Sequence, residues 1–193
     1  GADTNTFTGG LTATAPSSLS VAGNIVATDQ AISLGDGDTA LTLTADTNVN
    51  TGTGDITLGG TVNGAYGLTL TSTGTANVDG VVGANTPITS LTSNTGGTLD
   101  LGASVTVAGN VDVNDDVTLA SGLTLTTTGS GTIDFAGTVD GAQDLVINSA
   151  GTTTFNGNVG SGGSTELGDG TGASLTINST GLTTFAGTVE ALS

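Results

Sequence analysis

The sequence contains no cysteine, histidine, lysine, arginine, methionine or tryptophan. Without cysteine the chain forms neither disulfides nor a cysteine-ligated zinc site. Without lysine and arginine it has no internal salt bridges, and nucleic-acid recognition and electrostatic attachment to anionic lipid are excluded, because both depend on those side chains. The seventeen acidic residues therefore give a net charge of -17 that nothing within the chain balances.

Aromatic residues are only 3 % of the 193 residues, and charged residues only 9 %. Few large side chains are available to fill a globular core, and the low charged fraction is unlike a disordered acidic tail. No apolar run approaches the ~20 residues of a membrane-spanning helix, so no membrane insertion is expected. The first residue is Gly1 rather than Met, which indicates a processed form or an excised segment.

One stretch of fifteen residues occurs twice. Residues 145–159, LVINSAGTTTFNGNV, return as residues 175–189, LTINSTGLTTFAGTV, with ten of the fifteen positions identical. The same apolar and glycine positions recur after Leu68 without a gap, almost as well after Leu91, and after Leu123 with two residues inserted at the turn. Apolar residues at fixed offsets are typical of a structural unit that is used repeatedly.

A longer repeat surrounds the short one. Residues 56–83 align with residues 133–160 at a constant shift of 77, with thirteen identities in twenty-eight positions. The text VAGNIVATD from Val21 also matches VAGNVDVND from Val107. We therefore expect one domain over residues 1–193, with duplicated modules at about 21–83 and 107–160 and a partial third module at 161–193.

The units predict short β-strands and no significant helix. The sequence LTLT at Leu41, Leu68 and Leu123 alternates apolar and polar residues with period two, as in a strand with one buried face. Asn-Gly and Asp-Gly pairs, such as Asn63-Gly64, separate these segments. These pairs could close the hairpins of an antiparallel β-sandwich, which stays the alternative. The thirty-residue repeat favours a parallel β-solenoid, in which equivalent residues stack about 4.8 Å apart.

A solenoid predicts which side chains lie over one another. Phe155 is expected over Phe185, and Val159 over Val189, because each pair is thirty residues apart. The predicted stacking core consists of Leu68, Val78, Leu123, Phe135, Leu145, Phe155, Val159, Leu175, Phe185 and Val189.

The terminal units have no recognisable cap, such as an amphipathic helix or a charged, proline-rich segment. An uncovered last coil of a solenoid is an open sheet edge that can pair with another chain. We therefore predict head-to-tail self-assembly through Phe7 and Leu11 at one end and Phe185 and Val189 at the other.

The repeat in residues 145–159 and 175–189 resembles the β-strand repeats of very large bacterial surface proteins related to filamentous haemagglutinins and autotransporter passengers. The resemblance covers nearly the whole chain, and it implies a right-handed β-helix. An extracellular or cell-surface location is expected, which also suits a chain that offers trypsin no cleavage site.

Candidate metal ligands are the aspartates of glycine-rich turns. Asp36 and Asp38 in LGDGDTALTL and Asp169 in LGDGTGASLTI loosely resemble the loops of calcium-binding β-rolls. Calcium prefers carboxylate and carbonyl oxygen, so these three residues are a candidate calcium site. The simpler interpretation is that Asp-Gly pairs form turns without any metal.

Two further functions are weighed against the composition. Carboxylate pairs could hydrolyse glycosides, but no aspartate lies in an apolar context that would raise its pKa, and an enzyme is not expected. The outward threonines of the LTLT strands resemble an ice-binding array, but the array lapses at Val146 and Asn148. Threonine is also simply a good exposed strand residue.

The sequence therefore predicts a structural fibre or stalk, built either from head-to-tail copies or as one section of a giant surface protein. The alternative is an adhesin section that binds glycans or the surfaces of host or neighbouring cells. Loops that interrupt the repeat would carry such binding, at residues 85–88 with Pro87 or at residues 161–170.

Overall fold

The computed structural model describes residues 3–94, 96–160 and 166–191. In these ranges no residue is helical, and all strand pairs are parallel. The chain is a parallel β-solenoid, which confirms the predicted fold class and rules out the antiparallel sandwich. Each coil passes through three sheets in a fixed order and then returns to the first sheet one level further along.

The first sheet has the longest series of paired strands. In order of pairing, these are β1 (Thr4–Phe7), β3 (Ser18–Ala27), β5 (Ala40–Gly52), β8 (Gly67–Ser72), β10 (Ser90–Ser93), β13 (Val111–Val113), β16 (Ile133–Phe135), β19 (Thr153–Phe155) and β21 (Thr183–Phe185). The second sheet contains β2 (Leu11–Ala13), β4 (Ile32–Leu34), β6 (Ile56–Leu58), β9 (Thr75–Val78), β11 (Thr98–Leu101), β14 (Asp116–Leu119) and β17 (Val139–Asp140).

The third sheet contains β12 (Val105–Val107), β15 (Leu123–Thr127), β18 (Leu145–Ser149) and β20 (Leu175–Ser179). Strand β7 (Thr61–Asn63) pairs with the first residues of β5 and lies in line with this sheet. Single bridges from Val62 to Val82 and from Val82 to Val105 connect β7 with β12. The long strands β3 and β5 run from the third sheet into the first, and their register shifts between Val21 and Gly23, where the chain turns the corner.

The length of a coil varies. Paired residues are between 18 and 24 positions apart over most of the chain, as for Leu99 with Val117 and Asn24 with Asn48. The last coil is longer, because β18 pairs with β20, and β19 with β21, at a separation of 30. The thirty-residue repeat is therefore one coil that carries extra residues between β19 and β20.

The interior consists of columns of apolar side chains, because alternate residues of each strand face inward. Phe155 stacks between Phe135 and Phe185, with ring centroids 5.0 and 4.9 Å apart, and Val159 bridges to Val189. Of the predicted stacking residues, those before Leu175 are at most 4 % exposed. Leu175 is partly buried, whereas Phe185 and Val189 are 40 % and 47 % exposed on the last described coil.

Residues that are equivalent in the long sequence repeat do not occupy the same sheet. Ile56 lies in the second sheet and Ile133 in the first; Leu68 lies in the first sheet and Leu145 in the third. The stacking neighbour of Leu145 in the preceding coil is Leu123, in agreement with the short repeat. All three sheets bury aliphatic side chains with period two, so sequence similarity alone does not identify the sheet in which a strand lies.

Replacing Phe155 tests the stacked column. Phe155→Ala is expected to lower the free energy of unfolding by about 3–5 kcal/mol, because it leaves a cavity between two rings that stay in place. Phe185→Ala, on the exposed last coil, is the matched control and should cost clearly less. Urea unfolding followed by circular dichroism measures both variants, and equal losses would contradict the buried stack.

Candidate functional site

The predicted calcium ligands do not form one site. Asp36 Oδ1 accepts hydrogen bonds from Thr39 Oγ1 at 3.0 Å and from the Asp38 backbone N–H at 3.2 Å, as in a turn without metal. Asp169 belongs to another turn, where hydrogen bonds from the Thr171 hydroxyl and backbone N–H lower the pKa of its carboxyl group. No group of three acidic residues suited to a metal ion occurs in residues 3–94, 96–160 and 166–191.

Seven corners of the solenoid use a side-chain oxygen to hold the next coil. An aspartate or asparagine Oδ1 accepts the backbone N–H of a residue one coil later, and Asp116 also accepts the Thr138 hydroxyl at 3.1 Å. The acceptor and donor pairs are Asp29 and Thr53 (3.1 Å), Asp46 and Gly67 (2.8 Å), Asp55 and Thr75 (2.8 Å), Asn63 and Asn85 (2.9 Å), Asn110 and Thr132 (3.0 Å), Asp116 and Thr138 (2.7 Å), and Asn158 and Thr188 (3.1 Å).

These corner contacts were not predicted from the sequence. The sequence feature that could have indicated them is an aspartate or asparagine next to a predicted strand, followed about one coil later by the start or end of another strand. Asp115 makes the reverse contact: it is 4 % exposed, and its Oδ1 accepts the N–H of Gly97 in the preceding coil at 2.9 Å. Asp115 is therefore a buried structural acceptor.

Asp100 has a less favourable environment. It lies on β11 between Asn77 and Thr118 of the neighbouring coils, and its Oδ1 is buried without a hydrogen-bond partner in the described chain. Burial, together with the nearby negative charge of Asp79, raises the pKa of the Asp100 carboxyl group above its ordinary value of 3.8. The expectation that no aspartate has a raised pKa is therefore wrong for Asp100, because the register of the coils, which the sequence does not show, buries this carboxylate. Asp140 faces outward at the equivalent position two coils later, and its Oδ1 is also buried without a hydrogen-bond partner in the described chain.

The predicted assembly residues lie at the two ends of the described solenoid. Phe7 and Leu11 line an apolar depression of about 220 Å³ on the first coil, together with Ala13 and Leu19. At the other end Phe185 and Val189 are exposed, and Leu182 beside them is 69 % exposed. The structure places all four predicted assembly residues on end coils.

A polar cleft of about 350 Å³ lies at the corner between the third and first sheets. Its walls come from four successive coils and include Asn24, Asp46, Asn48, Thr69, Thr89 and Ser90. Gly67 lines the same cleft, and the preceding residue, Tyr66, is the only tyrosine of the chain and is 40 % exposed. The sequence signal that could have indicated this corner is the isolated Tyr66-Gly67 pair at the start of a strand.

The two loops predicted for binding differ in how much of them is described. In residues 85–88, the Asn85 and Thr86 backbone N–H groups donate to Asn63 Oδ1, and Ile88 is fully buried. This loop therefore packs on the preceding coil next to the cleft. Of residues 161–170, positions 161–165 lie outside the described residues, and Leu167 is buried and bridges to Ala191.

No protein-family model, curated protein sequence or solved structure matches this chain. The resemblance to large bacterial surface proteins thus stays a prediction.

The described residues include no helix with the length and apolar character needed to cross a membrane.

Asp115 provides a test of the buried corner contacts. Asp115→Ala leaves the Gly97 N–H without its acceptor and is expected to lower the free energy of unfolding by about 1–3 kcal/mol. Asp115→Asn retains an Oδ1 acceptor and should lose less. Asp38→Ala removes an exposed carboxylate as a control, and urea titrations that rank it equal to Asp115→Ala would contradict the contact.

Asp100 predicts a pH-dependent stability. The pKa of the Asp100 carboxyl group is higher in the folded state than in the unfolded state, so the folded state binds the proton more tightly. The free energy of unfolding therefore falls as pH rises from about 3.8 through the raised pKa. Asp100→Asn should therefore melt above the wild type at pH 7, and the difference should shrink as pH falls towards 4. Melting curves at both pH values measure it, with Asp38→Asn as the control; a difference independent of pH would contradict the assignment.

Proposed function

We propose that this protein is a structural, extracellular fibre or stalk, formed by head-to-tail stacking of solenoid ends or as one section of a longer surface protein. The observation that carries the proposal is that the buried apolar columns of the interior end in exposed apolar residues on the last described coil. Phe155 and Val159 are 1 % exposed, whereas Phe185 and Val189, one coil further along the same columns, are 40 % and 47 % exposed. One additional coil would bury both.

The opposite end offers a matching type of surface. Among the described residues, the first strand of each of the first two sheets, β1 and β2, has a strand partner on one side only. Such an edge carries unpaired backbone N–H and C=O groups that a parallel strand can extend. Phe7 and Leu11 beside this edge line an apolar depression, so both hydrogen bonding and apolar burial favour a further coil there.

The charge favours growth along the axis over lateral aggregation. A net charge of -17 without any cation makes the sides of two solenoids repel each other. The exposed residues Leu182, Phe185 and Val189 at one end are uncharged. One exposed carboxylate, Glu190, follows Val189 there. End contacts therefore bury the most apolar area, which supports a linear polymer or a linear continuation of the chain.

Electron microscopy and light scattering of the purified chain test self-stacking. Rods whose mean mass rises with protein concentration are expected. Phe185→Asp should stop growth, because it introduces a charge where a ring must be buried; Thr184→Asp, which adds the same charge on the same strand, should still form rods.

Compact monomers at all concentrations would contradict the self-stacking form. In that case the mass of the native polypeptide tests whether these residues are one section of a longer surface protein. A native chain no longer than these 193 residues would then contradict the stalk section as well.

A further inference from the structure

The polar cleft at the corner between the third and first sheets has a feature that coil packing does not explain. At many corner glycines an added Cβ would collide with the backbone of the neighbouring coil; for Gly131 it would lie 2.0 Å from the Gly109 carbonyl oxygen. Those glycines are needed for close stacking. At Gly67 the three nearest atoms are instead all side-chain oxygens.

These oxygens converge above Gly67. A Cβ at this position would lie 2.8 Å from Ser90 Oγ, 3.5 Å from Asp46 Oδ1 and 3.8 Å from Thr89 Oγ1. Asp46 Oδ1 also accepts the Gly67 backbone N–H at 2.8 Å, which fixes the carboxylate over the floor of the cleft. The space left by the missing side chain is thus surrounded by hydroxyl and carboxylate oxygens.

The neighbouring structure holds this geometry in place. The Thr89 N–H donates to the Tyr66 carbonyl oxygen at 2.9 Å, and the Gly64 N–H donates to the Thr86 carbonyl oxygen at 3.2 Å. The loop before Ser90 is therefore attached to the Tyr66 turn. Asn48 accepts the Thr71 hydroxyl with its Oδ1 at 3.0 Å, which leaves its NH₂ group as the donor for a ligand.

The lining determines the class of ligand. Hydroxyl and amide groups with one carboxylate can donate to and accept from a polyhydroxylated molecule. Tyr66 precedes Gly67 in the chain and is 40 % exposed, so an aromatic residue is available beside this lining for a sugar ring to pack against. Anionic sugars are disfavoured, because Asp46 lines the cleft and the chain has no cation to neutralise them. A single carboxylate is also a poor basis for a calcium site, which needs six to eight oxygen ligands.

We propose that the cleft lined by Gly67, Asp46, Asn48, Thr89 and Ser90, together with the adjacent Tyr66, binds a neutral saccharide. A volume of about 350 Å³ is at the lower end of the range of small-molecule sites, so one or two sugar rings are the expected occupant. This activity goes beyond the mechanical role and does not depend on it, because the cleft lies on the side of the solenoid and not at its ends.

A glycan array with neutral oligosaccharides in one arm and sialylated or sulfated ones in the other tests the proposal. The wild type should bind spots of the neutral arm only. The best neutral spot is then titrated as a free oligosaccharide into the ¹⁵N-labelled protein, where the amide signals of Gly67 and Thr89 should shift. Gly67→Ala fills the floor of the cleft and should weaken binding at least about tenfold.

Three variants separate a binding defect from a folding defect. Gly122→Ala is the matched control, because the nearest atom to its added Cβ is 3.8 Å away, and it should bind as the wild type does. Tyr66→Ala should weaken binding with an unchanged melting temperature, and Tyr66→Phe should retain it. If Gly67→Ala lowers the melting temperature, Tyr66→Ala and Ser90→Ala decide instead, since neither adds atoms to the cleft.

Several results would overturn the proposal. These are the absence of any neutral spot, equal binding by the Tyr66→Ala and Ser90→Ala variants, and a preference for the acidic arm. Loss of binding in EDTA would show that the oxygens hold a cation instead. Failure of rod formation has no bearing on this result, so the two proposals stand or fall separately.

Discussion

The structure depends on the parallel register between successive coils. Each strand exchanges backbone hydrogen bonds with the strands one coil before and after it, so every side chain lies about 4.8 Å from its equivalents. Inside, this requires neighbours in a column to be apolar and to fit one another, as Phe135, Phe155 and Phe185 do. Outside, the same rule can bring like charges together: Asp112 is the register partner of Asp134.

A chain without cations must stabilise its carboxylates by hydrogen bonds alone. Asn156 donates to Asp134 at 2.7 Å, and the corner aspartates accept backbone N–H groups of the next coil. A carboxylate that accepts backbone N–H groups is stabilised in its charged form without a counter-ion. Fifteen of the seventeen acidic residues are aspartate. The short aspartate side chain suits these corners, because it holds its oxygens close to the turn and bonds to the strand one coil away.

The sequence predicted the stacking partner of a residue where the residue type is rare in the chain. The stack of Phe155 on Phe185 followed from the thirty-residue repeat, because phenylalanine is rare in this chain and its spacing is unambiguous. The sheet of each strand did not follow, because valine and leucine at period two satisfy all three sheets equally, as Ile56 and Ile133 illustrate. The oxygens above Gly67 come from Asp46 and from residues 89–90, more than one coil apart, and only the three-dimensional register brings them together.

Register and corner geometry are largely independent in this fold. The columns fix the strands, yet the separation of paired residues ranges from 18 to 30, so the corners take up the difference. The loop at residues 85–88 is one such addition. It packs on Asn63 of the preceding coil, while Val82 and Ile88 stay buried in their separate columns. A corner can therefore acquire side chains that contact a ligand while the body keeps the continuous hydrogen bonding that a stalk requires. The proposed mechanical and recognition roles lie on separate residues for that reason.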